Sequence, residues 1–342
     1  MNILLTGGTG YIGSHNAVVL AQAGHEAILF DNLCNSSKDV VQRLEKIIGK
    51  PITFIEGDVR NTELLVEVMR NHQVDAVIHF AGLKAVGESV ANPLLYFANN
   101  VQGTISLLLA MQQLEIKTFI FSSSATVYGE PVYLPYDEAH PTNPINAYGD
   151  TKLQVEIILR DLAKSDPQWK IACLRYFNPV GAHESGFIGD DPSGIPGNLM
   201  PYLARVASGS LQYLSVFGKD YETRDGTGER DYIHVMDLAE GHMAALDFLA
   251  NNSGLHVVNL GTGKPASVLE CVKAFEGAVG KNLPIQFAPR RDGDLPIYFA
   301  KADLAKEKLG WIAARTLDEM CASAWHFQQV QSSQSKSSTE ST

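Results

Sequence analysis

The chain has 342 residues, of which 45% are hydrophobic and 19% charged, and its formal net charge is -11. No apolar run approaches the ~18 residues that cross a bilayer, and an acidic protein repels nucleic-acid phosphates, so we expect neither a membrane nor a nucleic acid as partner. The four cysteines lack disulfide or zinc spacing and the histidines form no metal motif, which predicts a metal-free, cytoplasmic protein.

The first half of the chain alternates short β-branched runs with longer helical patterns. This alternation predicts an α/β fold with a Rossmann-type, doubly wound parallel sheet. The first run begins at Asn2 with no charged leader before it, so we expect no secretory signal. The predicted strands are residues 2–5, 26–30, 52–55, 76–80, 118–122 and 170–175.

The composition of the sequence changes after residue 177. Glycine and proline become frequent and the elements between them become shorter, which predicts a smaller, loop-rich C-terminal lobe for substrate binding. We therefore expect a Rossmann domain over residues 1–177 and a second lobe over 178–330. Residues 331–342 are mostly Ser, Gln, Thr and Lys, and this composition predicts a disordered tail.

A glycine motif links the first predicted strand to a helix. Gly7, Gly10 and Gly13 allow a tight turn, close approach of a pyrophosphate and a free helix N-terminus. Asp31 ends the second strand 18 residues past Gly13, where its carboxylate suits ribose hydroxyls and repels a 2′-phosphate. Residues 32–35 offer no Arg to neutralise such a phosphate, so NAD is expected rather than NADP. A glycine turn that binds nothing is the minor alternative.

A candidate catalytic pair opens a helical pattern that runs to about residue 163. Of the 12 tyrosines only Tyr148 has a lysine four residues on, Lys152, and the two share one helix face. Taken alone, this spacing is equally typical of an exposed pair of side chains on the protein surface. Ser124, however, ends a serine run at the carboxyl end of a strand, where open α/β sheets bind ligands. A phenol with a pKa near ~10 becomes a usable base if Lys152 and a nicotinamide cation lower that pKa by ~1–3 units.

These motifs resemble the extended short-chain dehydrogenase/reductase family and, within it, the UDP-galactose 4-epimerases, from Met1 to about residue 328. The resemblance implies NAD-dependent interconversion of UDP-galactose and UDP-glucose, by inversion at carbon 4 through a 4-keto sugar. It also implies a role in galactose metabolism and a homodimer formed through Rossmann-domain helices. The stretches that carry it are residues 7–13, 31–36, 79–89, 121–129, 175–183 and 226–235.

The resemblance also implies site residues. Catalysis would be carried by Ser124, Tyr148 and Lys152. The NAD site would be lined by Gly7, Gly10, Tyr11, Ile12, Gly13, Asp31, Asn32, Asn35, Ser36, Asp58, Val59, Phe80, Ala81, Gly82, Lys84, Asn99, Ser124, Tyr148, Lys152 and Phe177. The nucleotide-sugar would be held by Ser124, Asn178, Asn198, Leu199, Phe217, Arg230, Arg291, Asp294 and Tyr298.

Some alternatives stay open at this point. Without the resemblance, Arg230 and Arg291 read as solvated surface charges, although together they can fork onto a diphosphate. Tyr298 is expected beside the carbon-two substituent of the sugar, where its bulk excludes an N-acetyl group. The alternative is a packing role only, in which Tyr298 lies under the loop that carries Arg290 and Arg291.

Two other functions compete with epimerisation. A 4,6-dehydratase of the same family would carry an Asp-Glu pair after the catalytic Ser/Thr, whereas this chain has Ala125 and Thr126, neither of them a carboxylic acid. A non-catalytic NAD-binding regulator would use the glycine loop and Asp31 equally well. The complete set of Ser124, Tyr148 and Lys152 disfavours that regulator.

Overall fold

The structure, a computed structural model, describes residues 1–192, 194, 196–291 and 293–339. Its strands are β1 Asn2–Thr6, β2 Glu26–Asp31, β3 Thr53–Glu56, β4 Ala76–His79, β5 Thr118–Ser124, β6 Lys170–Tyr176, β7 Asn178–Val180, β8 Leu214–Phe217, β9 Glu229–His234, β10 Gly254–Leu260, β11 Pro265–Ser267, β12 Ile285–Ala288 and β13 Ile297–Tyr298. All six predicted strands are present, with ends within two residues of the prediction.

The helices connect and cover these strands. They are α1 Tyr11–Gln22, α2 Asp39–Ile48, α3 Thr62–Asn71, α4 Val86–Ala91, α5 Pro93–Tyr96, α6 Gln102–Gln113, α7 Ala147–Ser165, α8 Leu199–Ala207, α9 Val235–Asn251, α10 Val268–Val279, α11 Asp303–Leu309 and α12 Leu317–Thr339. A π-helical turn, Phe97–Val101, joins α5 to α6, and a 3-10 turn, Ala125–Val127, follows β5.

A parallel sheet of seven strands forms the first lobe, in the order β10-β6-β5-β4-β1-β2-β3. Successive side chains point to opposite faces, so Leu4 packs in one core layer and Ile3 and Leu5 in the other. Helices cover both faces, as a doubly wound sheet requires. This confirms the predicted Rossmann-type fold and brings the carboxyl ends of β1, β4 and β5 to one edge.

The predicted boundary at residue 177 differs from the structure. Strand β10 pairs along the whole of β6 and completes the first sheet, while α9 packs against α1. The chain therefore returns to the Rossmann lobe after entering the second one. The reason is that β6 would otherwise be an open edge, which the apolar run in β10 covers.

The second lobe is smaller. Strand β9 lies at its centre, paired with β7, β11 and β13, and β8 pairs with β12. Helices α8, α10 and α12 pack together over an apolar core that includes Met200, Phe275 and Met320. Strand β13 carries Tyr298 and β9 carries Arg230, so this small sheet brings two predicted substrate residues side by side.

The C-terminal tail also differs from expectation. Helix α12 extends to Thr339, through residues 331–339, for which composition predicted disorder. Adding residues to an existing helix avoids the unfavourable nucleation step, so a polar segment can continue a helix that packing has begun. The rest of the predicted tail, 340–342, lies outside the described residues.

One helical stretch is long and apolar enough to cross a membrane by length and composition. It is Pro93–Gln113, with a mean hydropathy of 1.2, and Asn and Gln residues within it hide it from a search for apolar runs. Half of it is buried inside the protein, and α6 packs against α3 on the sheet. This burial and packing are typical of a core helix.

Candidate functional site

The glycine loop lies between β1 and α1 at the carboxyl edge of the sheet. A Cβ on Gly7, whose φ is +70°, would lie 2.7 Å from the Ala81 nitrogen, and a Cβ on Gly13 would lie 2.3 Å from the Gly7 oxygen. No side chain caps the start of α1 and its first turn carries no acidic residue. The loop thus offers backbone N-H groups and a positive helix end to an anion. This chemistry fits the pyrophosphate of a dinucleotide.

Asp31 lies at the end of β2, next to this loop. Its carboxylate is buried and accepts hydrogen bonds from the Thr9 nitrogen at 3.2 Å, the Leu33 nitrogen at 2.9 Å and the Ser36 hydroxyl at 3.2 Å. These contacts hold the carboxylate at the rim without a cation. The expected position beside the adenosine ribose fits this geometry.

Other predicted cofactor residues surround Asp31. Asn32 donates to Asp58, which forms an ion pair with Arg60 at 2.7 Å, and hydrogen bonds from Arg60 lower the pKa of Asp58 to about 2. Because Arg60 is paired with Asp58, its charge is already balanced by a carboxylate. Val59 is buried, and Asn35 lies exposed in the loop after β2.

The end of β4 forms the opposite wall. Phe80 and Ala81 donate backbone hydrogen bonds to the Thr6 oxygen, which brings this segment against the glycine loop. Asn99 lies in the π-helical turn and donates to Asn100 at 2.9 Å. Asn100 in turn binds both backbone groups of Leu83, just after Gly82. π-Helical turns recur at functional sites, and this one fixes the loop that carries Gly82 and Lys84.

The three predicted catalytic residues come together at the carboxyl end of β5. Tyr148 lies in the first turn of α7, which Asn146 caps by accepting from the Gly149 nitrogen at 2.9 Å. The Nζ atom of Lys152 lies 5.8 Å from the centre of the Tyr148 ring. Ser124 ends β5 near the Tyr148 phenol, whose pKa it lowers. The proximity that the sequence predicts is therefore present.

The charge states of this group differ in part from expectation. Burial raises the pKa of Tyr148, and the hydrogen bond from Ser124 lowers it. Lys152, which the sequence analysis assigns the lowering role, directs Nζ to the Ser122 carbonyl oxygen at 2.7 Å, and burial lowers its own pKa to about 8. The chain alone thus leaves the phenol protonated. A second cation, such as a nicotinamide ring, is needed to make it a base.

Thr126 is a residue that the sequence analysis did not place in the site. Its hydroxyl and its backbone nitrogen both donate to the Ser124 oxygen, at 3.0 and 3.2 Å. Because that oxygen accepts two hydrogen bonds, the hydroxyl proton of Ser124 is free to point to Tyr148 or a substrate oxygen. The contact forms in the 3-10 turn that follows β5, and the sequence pattern did not predict this turn.

The predicted substrate residues of the second lobe face this group. The Tyr298 hydroxyl donates to Asn178 Oδ1 at 3.0 Å, and its ring stacks on Phe177 with centroids 5.2 Å apart. The guanidinium of Arg230 lies 5.5 Å from the Tyr298 ring and 3.7 Å from Asp294. These residues form one continuous wall.

Further contacts complete the second lobe. The Arg291 guanidinium stacks at 3.8 Å on the ring of Phe217, and its backbone oxygen accepts from the Asp294 nitrogen. Asn198 caps α8 just before Leu199 and donates to Asp190 at 3.4 Å. Asp190 also lies 4.0 Å from Lys84 and so links the two lobes.

Tyr11 makes a further contact between the lobes. Its hydroxyl donates to the Gly181 oxygen at 2.7 Å, while Ile12 packs against the core of the sheet. No cluster of three His, Cys, Asp or Glu that could hold a metal occurs among the described residues. The polar groups that the site does bring together are a phenol, an ammonium, hydroxyls and arginines.

Comparison with known proteins is consistent with this geometry. The chain matches the family model described as GDP-mannose 4,6 dehydratase over residues 4–324. It is 56% identical to the UDP-glucose 4-epimerase of Bacillus subtilis over 328 residues, which cover 96% of this chain and 97% of that protein.

Two solved structures are similar along nearly their whole length. The UDP-glucose-4-epimerase of Stenotrophomonas maltophila, with bound NAD and formylated UDP-arabinopyranose, superimposes with a TM-score of 0.96 at 49% identity, over 98% of this chain and 99% of that one. The UDP-glucose 4-epimerase of Bifidobacterium longum, in complex with NAD+ and UDP, gives a TM-score of 0.94 at 50% identity, over 97% and 99%.

Proposed function

The chain belongs to the UDP-glucose 4-epimerase family, and from this premise we propose that it interconverts UDP-galactose and UDP-glucose by inversion at carbon 4, with bound NAD. The observation that carries the proposal is the meeting of Ser124, Tyr148 and Lys152 at the edge that also holds the glycine loop. A base, its hydrogen-bond partner and a cofactor cradle in one crevice suit reversible oxidation of an alcohol.

The uncapped N-terminus of α1 would hold the pyrophosphate of NAD, and Asp31 would hold its adenosine ribose. When bound, NAD would supply reversible hydride transfer at carbon 4, and a hydride that is returned to the sugar would leave the cofactor unchanged after each cycle. Net turnover then needs no second substrate.

Tyr148 removes the proton from the hydroxyl at carbon 4 and gives it back after the sugar has turned. Ser124 donates its hydroxyl hydrogen to the reacting oxygens, because Thr126 already satisfies its acceptor sites. Lys152 supplies positive charge beside the Tyr148 ring and, through its hydrogen bond to Ser122, stays at a fixed place. Each side chain thus has one role that its contacts support.

The nucleotide-sugar is anchored at its UDP end by the second lobe. Arg230 and Arg291 bind the diphosphate, Phe217 and Leu199 lie along the uridine, and the amides of Asn178 and Asn198 bond its polar edges. Asp294 holds Arg230 in place. An anchor at one end leaves the hexose free to rotate, which inversion requires.

Both rival functions fit the site less well. A 4,6-dehydratase needs carboxylic acids after Ser124, but Ala125 is buried and apolar, and the Thr126 hydroxyl is bonded to Ser124. A regulator that only binds NAD does not require the complete set of Ser124, Tyr148 and Lys152, which come together at the end of β5. Epimerisation uses all of these groups.

We place the protein in the cytoplasm as a homodimer, without nucleic-acid or membrane partners. The dimer is supported by apolar side chains on the outer faces of α4, α5 and α6: Val90 is 66% exposed, Leu94 82% and Leu109 52%. A monomer leaves such a patch in water, whereas a second copy covers it.

The experiment is to supply purified protein with UDP-galactose and no added cofactor. We expect UDP-glucose to form, to a constant ratio of the two sugars, with no net rise in reduced-nicotinamide absorbance. Formation of a stable 4-keto-6-deoxy product would instead establish a dehydratase, and absence of any product would favour the regulator. Tyr148→Phe serves as the control for contaminating activity.

A further inference from the structure

A buried ion pair lies directly behind the catalytic group and takes no part in the mechanism above. Glu156 follows Lys152 by one turn of α7, and Arg175 lies on β6. Arg175 Nε lies 2.9 Å from Glu156 Oε1 and Nη2 lies 2.5 Å from Oε2, with side chains only 7% and 6% exposed. The pair is therefore bidentate and shielded from water.

The carboxylate of Glu156 also contacts the catalytic strand end. The Ser123 hydroxyl donates to Glu156 Oε1 at 2.6 Å. Ser123 lies between Ser122, whose carbonyl accepts from Lys152, and Ser124. Strands β5 and β6 pair so that Ser123 stands opposite Arg175. One carboxylate thus connects α7, β5 and β6 at the point where the catalytic groups meet.

Stability alone does not account for this pair. The cost of removing two charges from water offsets much of their attraction, and well-packed apolar residues often replace a buried ion pair without loss of stability. The arginine is packed further by the Tyr128 ring, 4.8 Å away, whose hydroxyl donates to Asn259 at 2.6 Å. The guanidinium is thus held by Glu156 and the Tyr128 ring, while its buried Nη1 atom has no hydrogen-bond partner among the described residues.

We propose that Glu156 and Arg175 are positioning residues for the reaction: Glu156 places a negative charge one helical turn behind Lys152 and fixes residues 122–124, and Arg175 holds the Glu156 carboxylate in its orientation. The inference rests on the proposed function, because it assigns a role relative to Lys152 and Ser124. Neither residue touches substrate or cofactor.

The groups that face Lys152 leave Glu156 as its source of negative charge. Burial lowers the pKa of Lys152 to about 8, and Glu156 acts in the opposite direction. His79 on β4 is neutral, since burial lowers its pKa to about 3, and burial raises the pKa of Tyr176 on β6. Tyr148 itself is the group that Lys152 serves.

Cys173, on the far side of Glu156, is a neutral thiol, because burial and then Glu156 raise its pKa. It therefore adds no charge of its own to the group. Removal of the Glu156 charge consequently lowers the pKa of Lys152 further.

The test compares Glu156→Gln with wild type over the pH range of epimerisation. Gln keeps an oxygen for Ser123 but loses the charge. We expect the alkaline limb of kcat to move down by about one pH unit, because Lys152 then loses its proton at lower pH. KM for UDP-galactose stays near the wild-type value, since the UDP contacts are untouched.

Two further variants keep the test decisive. Glu156→Gln leaves Arg175 without a counter-charge and can fail to fold, so the paired variant Glu156→Gln/Arg175→Met removes both charges and keeps a long side chain under Tyr128. Its alkaline limb should move in the same direction. Asp161→Asn, an exposed carboxylate on the same helix, controls for a general change of charge and should leave the profile unchanged.

The outcomes separate this inference from the proposed function. A wild-type enzyme that epimerises, with folded variants whose pH profile matches wild type, overturns the positioning role and leaves the function intact. A downward shift in the folded variants, absent in Asp161→Asn, supports it. A wild-type protein without epimerase activity contradicts both.

Discussion

The ammonium group of Lys152 donates a hydrogen bond to the main-chain carbonyl of Ser122 at 2.7 Å. This contact fixes the cation at the end of the strand that carries Ser124, and Nζ lies 5.8 Å from the Tyr148 ring centre. Lys152 is thus a fixed charge beside the phenol rather than a proton donor to it. The first two predictions follow from this arrangement.

Tyr148→Phe removes the proposed base and keeps the ring. We expect kcat to fall by about 10²–10⁴-fold, because proton transfer in the transition state is lost, with little change in affinity for UDP-galactose. Steady-state kinetics together with calorimetric titration of UDP measures both. Near-normal turnover would show that Tyr148 is structural.

Lys152→Met removes one of the two cations that favour the phenolate. The pKa of Tyr148 then rises above its wild-type value, so the acid limb of the kcat profile should move to higher pH by about one pH unit. Lys164→Met changes an exposed lysine on the same helix and should leave the limb in place. If both variants keep the wild-type profile, Lys152 does not tune the base.

Local signals allowed prediction of the fold and of the catalytic group. The six strands, the glycine loop and the i, i+4 pair of Tyr148 and Lys152 are set by residues close in sequence. Strand β10 was missed as part of the first sheet because its pairing with β6 joins residues about 80 apart, as in Gly254 with Lys170.

The supporting residues of the site could not be found in the same way. Glu156 reads from sequence as an ordinary helix residue, and only its meeting with Ser123 and Arg175 across three elements gives it a role. Thr126 acts through a 3-10 turn, and no hydrophobic periodicity in the sequence predicts that turn. Contacts between residues that are distant in sequence produce no local sequence pattern from which they could be predicted.

The cofactor prediction concerns what the protein carries after purification. Because the hydride is returned to the sugar in each catalytic cycle, NAD does not have to be exchanged. Denatured protein should therefore release NAD in amounts close to one per chain. Asp31 repels a 2′-phosphate and Arg60 is paired with Asp58, so NADP should be absent. Chromatography of the released nucleotide measures this, and recovery of NADP would contradict the assignment of Asp31.

The homodimer prediction uses the exposed patch on α4, α5 and α6. Leu109→Asp places a charge in this patch and should convert the dimer into a monomer at micromolar concentration, as measured by sedimentation or light scattering. Ile312→Asp changes an equally apolar residue, 62% exposed in the segment between α11 and α12, and should leave the dimer intact. A wild-type protein that is already monomeric would refute the role of the patch.

The last prediction concerns which sugars the pocket accepts, and it depends on Tyr298. Its ring stacks on Phe177, which stands at the predicted nicotinamide side, and its hydroxyl is tied to Asn178. Because the intermediate must turn inside the pocket, a substituent on carbon 2 needs space in two orientations. We therefore expect strong preference for UDP-glucose and UDP-galactose, with Tyr298→Cys gaining activity on the N-acetylated pair.

Tyr298→Phe separates bulk from hydrogen bonding in this test. The Phe variant removes only the hydroxyl that bonds Asn178 and keeps the ring on Phe177, so it should keep the wild-type selectivity. Selectivity is measured as kcat/KM for the N-acetylated sugar divided by kcat/KM for UDP-galactose. Tyr298→Cys should raise this ratio by about 10-fold or more. If Tyr298 only packs under the loop that carries Arg290 and Arg291, its truncation to Cys lowers thermal stability and the ratio stays constant. Efficient use of the N-acetylated sugar by wild type would equally rule out a steric wall, because the ring would then leave room for the larger substituent in both orientations.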